Sequence, residues 1–536
     1  MVKLKKLLSW SNLALIIIIS LLTFKTLDLK LYNNPRKIIE SDVGNYYAYL
    51  PLTFIFDQLD YKFDNPTFKI IKPYLYSAPV DNGKRVNPCT MGMPIAYSPF
   101  FFAAHYSLKV LGRPTTGFSE AYRLAIIFAC LFYALIAIIL LEKILGKIFN
   151  DQTTALAITT LILATNLIYY LIYEPGMTHA FNFSFGVFFL YLTIKWHEKP
   201  GIFNSVGIGF FAGLIALIRP TDIIIILIFI LWKVRSFGSL KGNLSTFLKK
   251  WYLILIIIAS AVLVWVPQMI YWHHFTDHYL YNPYKGMGFR FFFNNPQFLI
   301  TLFSYRKGWL LYTPVMLMIL PGFVVLYRKY REYFWPVLIY FIFNLWIIAS
   351  WCLPWYGGSF GHRAFIASYG IMIIPIAAAF SAIFSKKKIL NLIIGILIAF
   401  IFIYHNFFQL QQYKYGAIHF VSMTKEAYWD SFGHKHPSKK FRYLLAFPNY
   451  DSAKMGIYPT DKIDPLYTED QFYDTAYSRI LTQYTTDIQK DTTLKNQLAK
   501  EAILNNTSFD VVVKSKAKSR LTEMINDKII TLKKVH

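Results

Sequence analysis

Apolar residues run in blocks far longer than the alternation of a strand or the one-sided stripe of a surface helix. Blocks at 7–24, 121–141, 155–173, 179–196, 202–218, 223–232, 251–272, 309–327, 333–351, 364–384 and 389–408 each predict a bilayer-crossing helix, since a span needs about 20 mostly apolar residues. This pattern predicts an all-α polytopic membrane protein with about eleven transmembrane helices. The block 223–232 is too short to cross alone at about 1.5 Å per residue. It must extend into 219–222 or 233–234, or be a broken helix. The first block follows a basic stretch, 1–6, as a signal peptide would, but it ends in Leu-Leu-Thr-Phe-Lys with no small-residue cleavage site. It predicts an uncleaved first helix with a cytoplasmic N-terminus.

Charge orients these helices. From an inside N-terminus, the predicted cytoplasmic turns carry Lys143 and Lys147, Lys195 and Lys199, then Lys233, Arg235, Lys241, Lys249 and Lys250. Arg328, Lys329 and Arg331 follow, then Lys386, Lys387 and Lys388. Every short inner turn is basic, as orientation by Lys and Arg requires. The apolar segment 93–110, counted as a span, would reverse all later helices. It is therefore expected to lie along, or dip into, the outer face. The domain reading is a transmembrane module at 1–408, with a first outer loop at 25–122 carrying juxtamembrane helices and a second at 273–308. An extracytoplasmic C-terminal region follows at 409–536. The expected location is a bacterial inner (cytoplasmic) membrane.

Composition agrees. Of 536 residues, 55% are hydrophobic and 16% charged, against roughly 45–50% and 25% in soluble domains. That excludes a disordered chain and all but excludes a soluble enzyme. Lys and Arg number 55 and Asp and Glu 29, a formal charge of +26. Inner-loop basicity accounts for it, so nucleic acid is not an expected partner. Three cysteines build no disulfide framework. Neither a phosphate-cradling G-x-x-x-x-G-K-S/T nor a dinucleotide G-x-G-x-x-G is present.

Chemistry is expected where outer loops meet water and lipid headgroups. The first loop opens Ser41-Asp42-Val43-Gly44-Asn45-Tyr46-Tyr47. A carboxylate there can take a proton from an attacking hydroxyl; an interfacial turn with an aromatic belt would read the same way. Arg219 interrupts two apolar runs, which is costly unless it is paired or faces a wet cavity. Asp222, three residues on, is the candidate structural partner. Arg306 and Lys307 precede a span, and Arg363 follows the Gly-rich turn 357–361; they suit phosphate or interfacial snorkelling. His274 and His278 are four apart, as on one helix face, but no H-E-x-x-H glutamate accompanies them. Nearby aromatics and Pro283 favour a loop there, and no metal site is assigned.

The order of several stretches resembles the GT-C class of polyprenyl-phosphate-sugar glycosyltransferases, including uncharacterised bacterial members. These are the acidic first loop at Asp42, 87–94 with 98–101, Glu174-Pro175-Gly176-Met177-Thr178-His179, Leu217-Ile218-Arg219-Pro220-Thr221, 304–314 and 355–363. The resemblance covers about 1–430. It implies a polyprenyl phosphate or diphosphate sugar donor, and a hydroxyl acceptor on a glycolipid, glycan or protein at the outer face. It makes Asp42 the base, with Arg219, Arg306 and Arg363 on the donor phosphate. His179, Tyr312, Trp355 and His362 become weaker polar or sugar contacts. Members of the class often carry a second acid beside the first; here Val43 follows Asp42. No cofactor is required by the motifs, and a divalent cation is left open. Asp57, Asp60, Asp64 and Asp81 share the loop without a spacing that selects one. A flippase for a lipid-linked saccharide is the rival reading, and a scaffold whose tail recruits partners the third.

Overall fold

The computed structural model describes residues 9–35, 37–59, 75–80, 82–384, 388–439, 441–445 and 448–458, and in the C-terminal part 481–482, 484–489, 491–505, 507–517 and 519. The stretch 1–6, Asp60, Asp64, Asp81, Lys386 and Lys387 lie outside these residues. The chain forms two compact units, Met1–Lys439 with Tyr450–Ile457, and Lys440–Asn449 with Tyr458–His536.

Among the described residues the first unit is helical, apart from a short antiparallel pair, β1 (Ala78–Pro79) and β2 (Arg85–Val86), and an isolated bridge between Phe291 and Trp351. Its helices are α1 (Trp10–Asp28), α2 (Ser41–Phe54), α3 (Gly92–Val110), α4 (Glu120–Leu145), α5 (Asp151–Leu163), α6 (Leu167–Ile172) and α7 (Thr178–Glu198). Then come α8 (Ile202–Ile218), α9 (Ile226–Leu231), α10 (Phe237–Lys249), α11 (Trp251–Thr276), α12 (Phe298–Phe303), α13 (Trp309–Tyr312), α14 (Ile319–Lys329) and α15 (Arg331–Ser350). Last are α16 (Tyr369–Ile383), α17 (Ile389–Lys414), α18 (Lys425–Ser431) and α19 (Tyr450–Lys454). Among the described residues six helices are long and apolar enough to cross a membrane. The count of eleven is not reached by that measure, because several apolar blocks are interrupted.

The interruptions have visible causes. The block 155–173 splits into α5 and α6, and the buried Asn406 side chain donates to the freed carbonyls of Leu163 (2.8 Å) and Thr165 (2.9 Å). Satisfying those groups lets a helix break persist in an apolar setting. Proline forces two more breaks: Pro220 opens a 3-10 turn, Pro220–Ile225, ahead of α9, and Pro314 opens Pro314–Met318 ahead of α14. The short block 223–232 thus extends back into 220–222: the 3-10 turn Pro220–Ile225 runs directly into α9. A third 3-10 turn, Arg363–Ser368, leads into α16.

Packing follows small residues. Gly209 and Gly213 on α8 face Ile257 and Ala261 on α11, and a Cβ at Gly213 would lie 2.6 Å from the Ala261 carbonyl oxygen. This four-residue glycine spacing brings two backbones together as in membrane helix pairs. Trp265 Nε1 donates to Gly213 O at 3.0 Å across the contact. Outer faces stay apolar: Ile389, Ile393, Ile396, Leu397, Phe400, Ile401 and Tyr404 form an exposed stripe along α17. An unbroken exposed apolar face of this length belongs against lipid, and the protein is a multi-pass membrane protein.

The second unit holds α20 (Thr492–Leu504), whose N-terminus Asp491 caps by accepting from Thr493 N (2.9 Å) and Leu494 N (3.1 Å). Ile488, Leu498, Ala502, Val512 and Val513 make its small core.

Candidate functional site

Asp42 is the second residue of α2, where the helix dipole favours an anion. The preceding Ser41 has φ +50°, a left-handed conformation unusual for a residue with a Cβ. The turn of helix bearing Asp42 is pinned from three sides. Asn45, fully buried, pairs with the Tyr76 backbone, donating to its carbonyl (2.7 Å) and accepting from its amide (3.0 Å). Asn87 Nδ2 donates to Asn45 O at 2.8 Å, and Tyr49 donates to Cys89 O at 2.7 Å. On the opposite flank Val43 meets the turn before α7, where a Cβ at Gly176 would come within 2.6 Å of Val43 Cγ1.

The carboxylate so positioned is partly exposed and, among the described residues, meets Tyr76 and Arg363. The Tyr76 hydroxyl donates to Asp42 Oδ1 at 3.1 Å, and Arg363 Nη2 lies 3.9 Å from Oδ2. Burial, with Cys89 and the Asp42 carboxylate close by, pushes the Tyr76 phenol up, so it stays a donor. Burial likewise pushes up the Cys89 thiol, which lies 3.9 Å from the Tyr76 hydroxyl.

The loop 351–363 organises the cations. Tyr356 and Gly357 take left-handed φ of +53° and +70°. This turns the Tyr356 carbonyl to accept from Arg363 Nε at 3.0 Å while Nη2 reaches Asp42. Arg219, at the C-terminus of α8, lies 5.9 Å from the Tyr356 ring centroid. Its Nη1 is 3.3 Å from His179 Nδ1. The anticipated Arg219–Asp222 pairing is therefore replaced: Asp222 accepts from Asn182 (2.8 Å) and Thr221 (3.3 Å). Lys307, 2% exposed, donates to Ser359 O. Burial and the Arg363 charge hold its amine well below the ordinary lysine range. Arg306 is set behind this group, stacked 5.6 Å over Trp355 and donating to Val421 O at 2.8 Å.

Sequence reasoning left three site residues without a role. Glu174 accepts from Tyr169 at 2.9 Å; burial pushes its carboxyl up, and the Arg363 charge opposes that. A second carboxylate thus stands near Asp42's partner, supplied by another loop rather than by the next residue in sequence. The motif containing Glu174 was the available signal. Tyr284 lies within electrostatic reach of Asp42, Arg219 and Arg363. Tyr76 carried no signal at all.

Other expected contacts are sealed. His362 is fully buried and donates from Nε2 to Pro354 O at 2.9 Å. Burial pushes it down to about 3. Tyr312, 1% exposed, gives its hydroxyl to Tyr305 O at 2.6 Å. Trp355, 7% exposed, meets Tyr450 edge-on at 5.7 Å. In this state their side chains support the loop from within. His273 and His274 belong to the last turn of α11, which ends at Thr276 with Asp277 as its left-handed cap, φ +61°, and His278 lies beyond it in the loop. His273 stacks on Tyr279 at 4.4 Å. Among the described residues no three His, Cys, Asp or Glu side chains gather as a metal site.

Together, a partly exposed carboxylate lies 3.9 Å from Arg363, and the loop that carries Arg363 also holds Arg219 and Lys307, all at helix ends or in loops. That arrangement can deprotonate a hydroxyl on one side and neutralise an anion on the other.

No protein-family model matches the chain, and no curated protein is similar to it. Solved structures are. An archaeal oligosaccharyltransferase, AglB from Archaeoglobus fulgidus in complex with an inhibitory peptide and a dolichol-phosphate, is similar with a TM-score of 0.45 and 13% identity, over 85% of this chain and 61% of that one. The A. fulgidus oligosaccharyltransferase in the apo form gives 0.44 and 12%, with the same coverage. Its complex with Zn and sulfate gives 0.41 and 13%, over 84% of this chain and 58% of that one. The chain spans about three fifths of the length of these structures.

Proposed function

We propose that the protein is a GT-C-type membrane glycosyltransferase, moving a hexosyl or pentosyl unit from a polyprenyl phosphate or diphosphate to a hydroxyl of a glycolipid, glycan or protein at the outer face. The observation that carries this reading is the 3.9 Å approach of Arg363 to Asp42, with Arg219 and Lys307 held by the same loop. In this reading the acceptor O–H bond breaks toward an Asp42 oxygen. The freed oxygen bonds to the anomeric carbon. The bond from that carbon to the carrier's phosphate oxygen breaks, its electron pair staying on the phosphate. The growing charge falls to Arg363 and Arg219, which act where negative charge develops. Tyr76 orients the base, and Arg306 supports the loop through Trp355. About eleven spans, an inner N-terminus and an outer C-terminal region in a bacterial inner membrane complete the reading.

A one-sided site favours transfer over a flippase. A flippase needs polar residues through the depth of several helices, whereas the cations and acids here sit at helix ends.

The test is sugar transfer from a polyprenyl-phosphate-linked donor by protein in nanodiscs, with Asp42→Asn compared at equal folded amount. Losing a general base costs about 100-fold to 10,000-fold. Full activity in Asp42→Asn removes the base assignment. Movement of the lipid-linked sugar across liposomes without product reverses the ranking in favour of a carrier.

A further inference from the structure

A cavity of about 250 Å³ opens at the C-terminal end of α17, walled by that helix and by the segment 418–433. Tyr404, Phe408, Gln409, Tyr428, Ser431 and Phe432 line it. Gln409 and Ser431 are each 2% exposed, and among the described residues neither Gln409 Oε1 nor Ser431 Oγ has a hydrogen-bond partner. A buried amide or hydroxyl left unpaired is costly. Both residues line the cavity, and each unpaired atom, now covered, would pair with a hydroxyl-bearing ligand once its side chain turned into that space.

The lining also says which ligand. Among the described residues it includes no Lys, Arg, Asp or Glu, and its one titratable base is the imidazole of His405. A phosphate held there would find no fixed cation and only an imidazole, and buried charge without a charged partner is strongly disfavoured. The aromatic rings offer apolar faces suited to the C–H face of a sugar ring. Depth in the membrane follows from α17. Its exposed apolar stripe ends at Tyr404, and Tyr404 itself lines the cavity. The polar pocket therefore begins where the lipid-facing surface stops. An amphiphile would rest its chain on the stripe with its headgroup inside.

We propose that this cavity binds the uncharged, hydroxyl-rich headgroup of a glycosyl lipid, through hydrogen bonds to Gln409 Oε1 and Ser431 Oγ. The site is distinct from the Asp42–Arg363 pair. It adjoins the cation loop from behind, since Tyr428 packs on Tyr305 (5.4 Å) and Tyr312 (6.1 Å) and Val421 O holds Arg306. Binding needs no sugar transfer, so it stands or falls separately from the enzymatic reading.

The experiment uses the full chain in nanodiscs with a photoreactive alkyl glucoside, no donor present, and peptide mapping of the adduct. Labelling is expected within 404–433, reduced about fivefold to tenfold in Gln409→Leu, as for one lost buried hydrogen bond, and also reduced in Ser431→Ala. An unlabelled alkyl glucoside should compete, while an alkyl phosphocholine of equal chain length and free methyl glucoside should not. Because Gln409→Leu removes an unpaired polar atom, the empty variant should melt no lower than the parent, which separates lost binding from lost folding. Labelling elsewhere, labelling unchanged in both variants, or equal competition by the phosphocholine or by the free sugar would overturn the proposal.

Discussion

Val43 and Gly176 touch so closely that a single methyl group at Gly176 would lie 2.6 Å from Val43 Cγ1. The contact ties the start of α2, which carries Asp42, to the turn that carries Glu174. The position beside Asp42 is thus a packing position, and the nearby second acid comes from across the fold.

Gly176→Ala is therefore expected to destabilise by about 1–3 kcal/mol, the usual cost of overpacking, and to lower activity by displacing Asp42. Val43→Ala should restore much of both in the double variant. Thermal melting and transfer rates across the four-member cycle check this; strict additivity would show that the contact does not position the base.

Arg363 separates charge from geometry. Lysine keeps the charge but cannot both donate to Tyr356 O and reach Asp42 as the guanidinium fork does. Arg363→Lys is expected to lose about tenfold or more in kcat, and Arg363→Gln about 100-fold, the scale for removing one stabiliser of developing charge. Equal activity in Arg363→Gln and the parent would remove this residue from the donor side.

His362 carries a pH signature. Burial lowers it from an ordinary 6.5 to about 3. The unfolded chain then binds a proton between those values that the folded chain does not, so stability is present above 6.5 and falls as pH drops through that window. The slope is at most about 1.4 kcal/mol per pH unit. His362→Gln should flatten it. Melting temperatures from about pH 7 to about pH 4, which bracket most of the window, provide the measurement. An unchanged slope would contradict a neutral, buried imidazole.

Gly213→Leu on α8 should be far more damaging than an added methylene on a lipid-facing position, such as Val262→Leu on α11. A side chain at Gly213 strikes the Ala261 backbone, whereas Val262 is 52% exposed. The expected result is loss of monodisperse protein for Gly213→Leu and a melting temperature within experimental scatter for Val262→Leu.

What the sequence determined by itself is the helical plan. Continuous apolar blocks are unambiguous because backbone polar groups in lipid must pair within a helix. The blocks at 121–141 and 251–272 reappear as α4 and α11, and the weak 223–232 block extends back to Pro220, which opens its first, 3-10 turn. Arg219, Arg306 and Arg363 were also legible as polar residues at the edges of apolar runs, and Asp42 as the acid of the first outer loop. Only the tertiary structure decided which of them meet. Arg363 reaches Asp42 because left-handed backbone at Tyr356 and Gly357 folds the loop back; Arg219 turns to His179 rather than to the neighbouring Asp222. Tyr76, Glu174 and Tyr284 join through contacts distant in sequence, which local periodicity cannot encode.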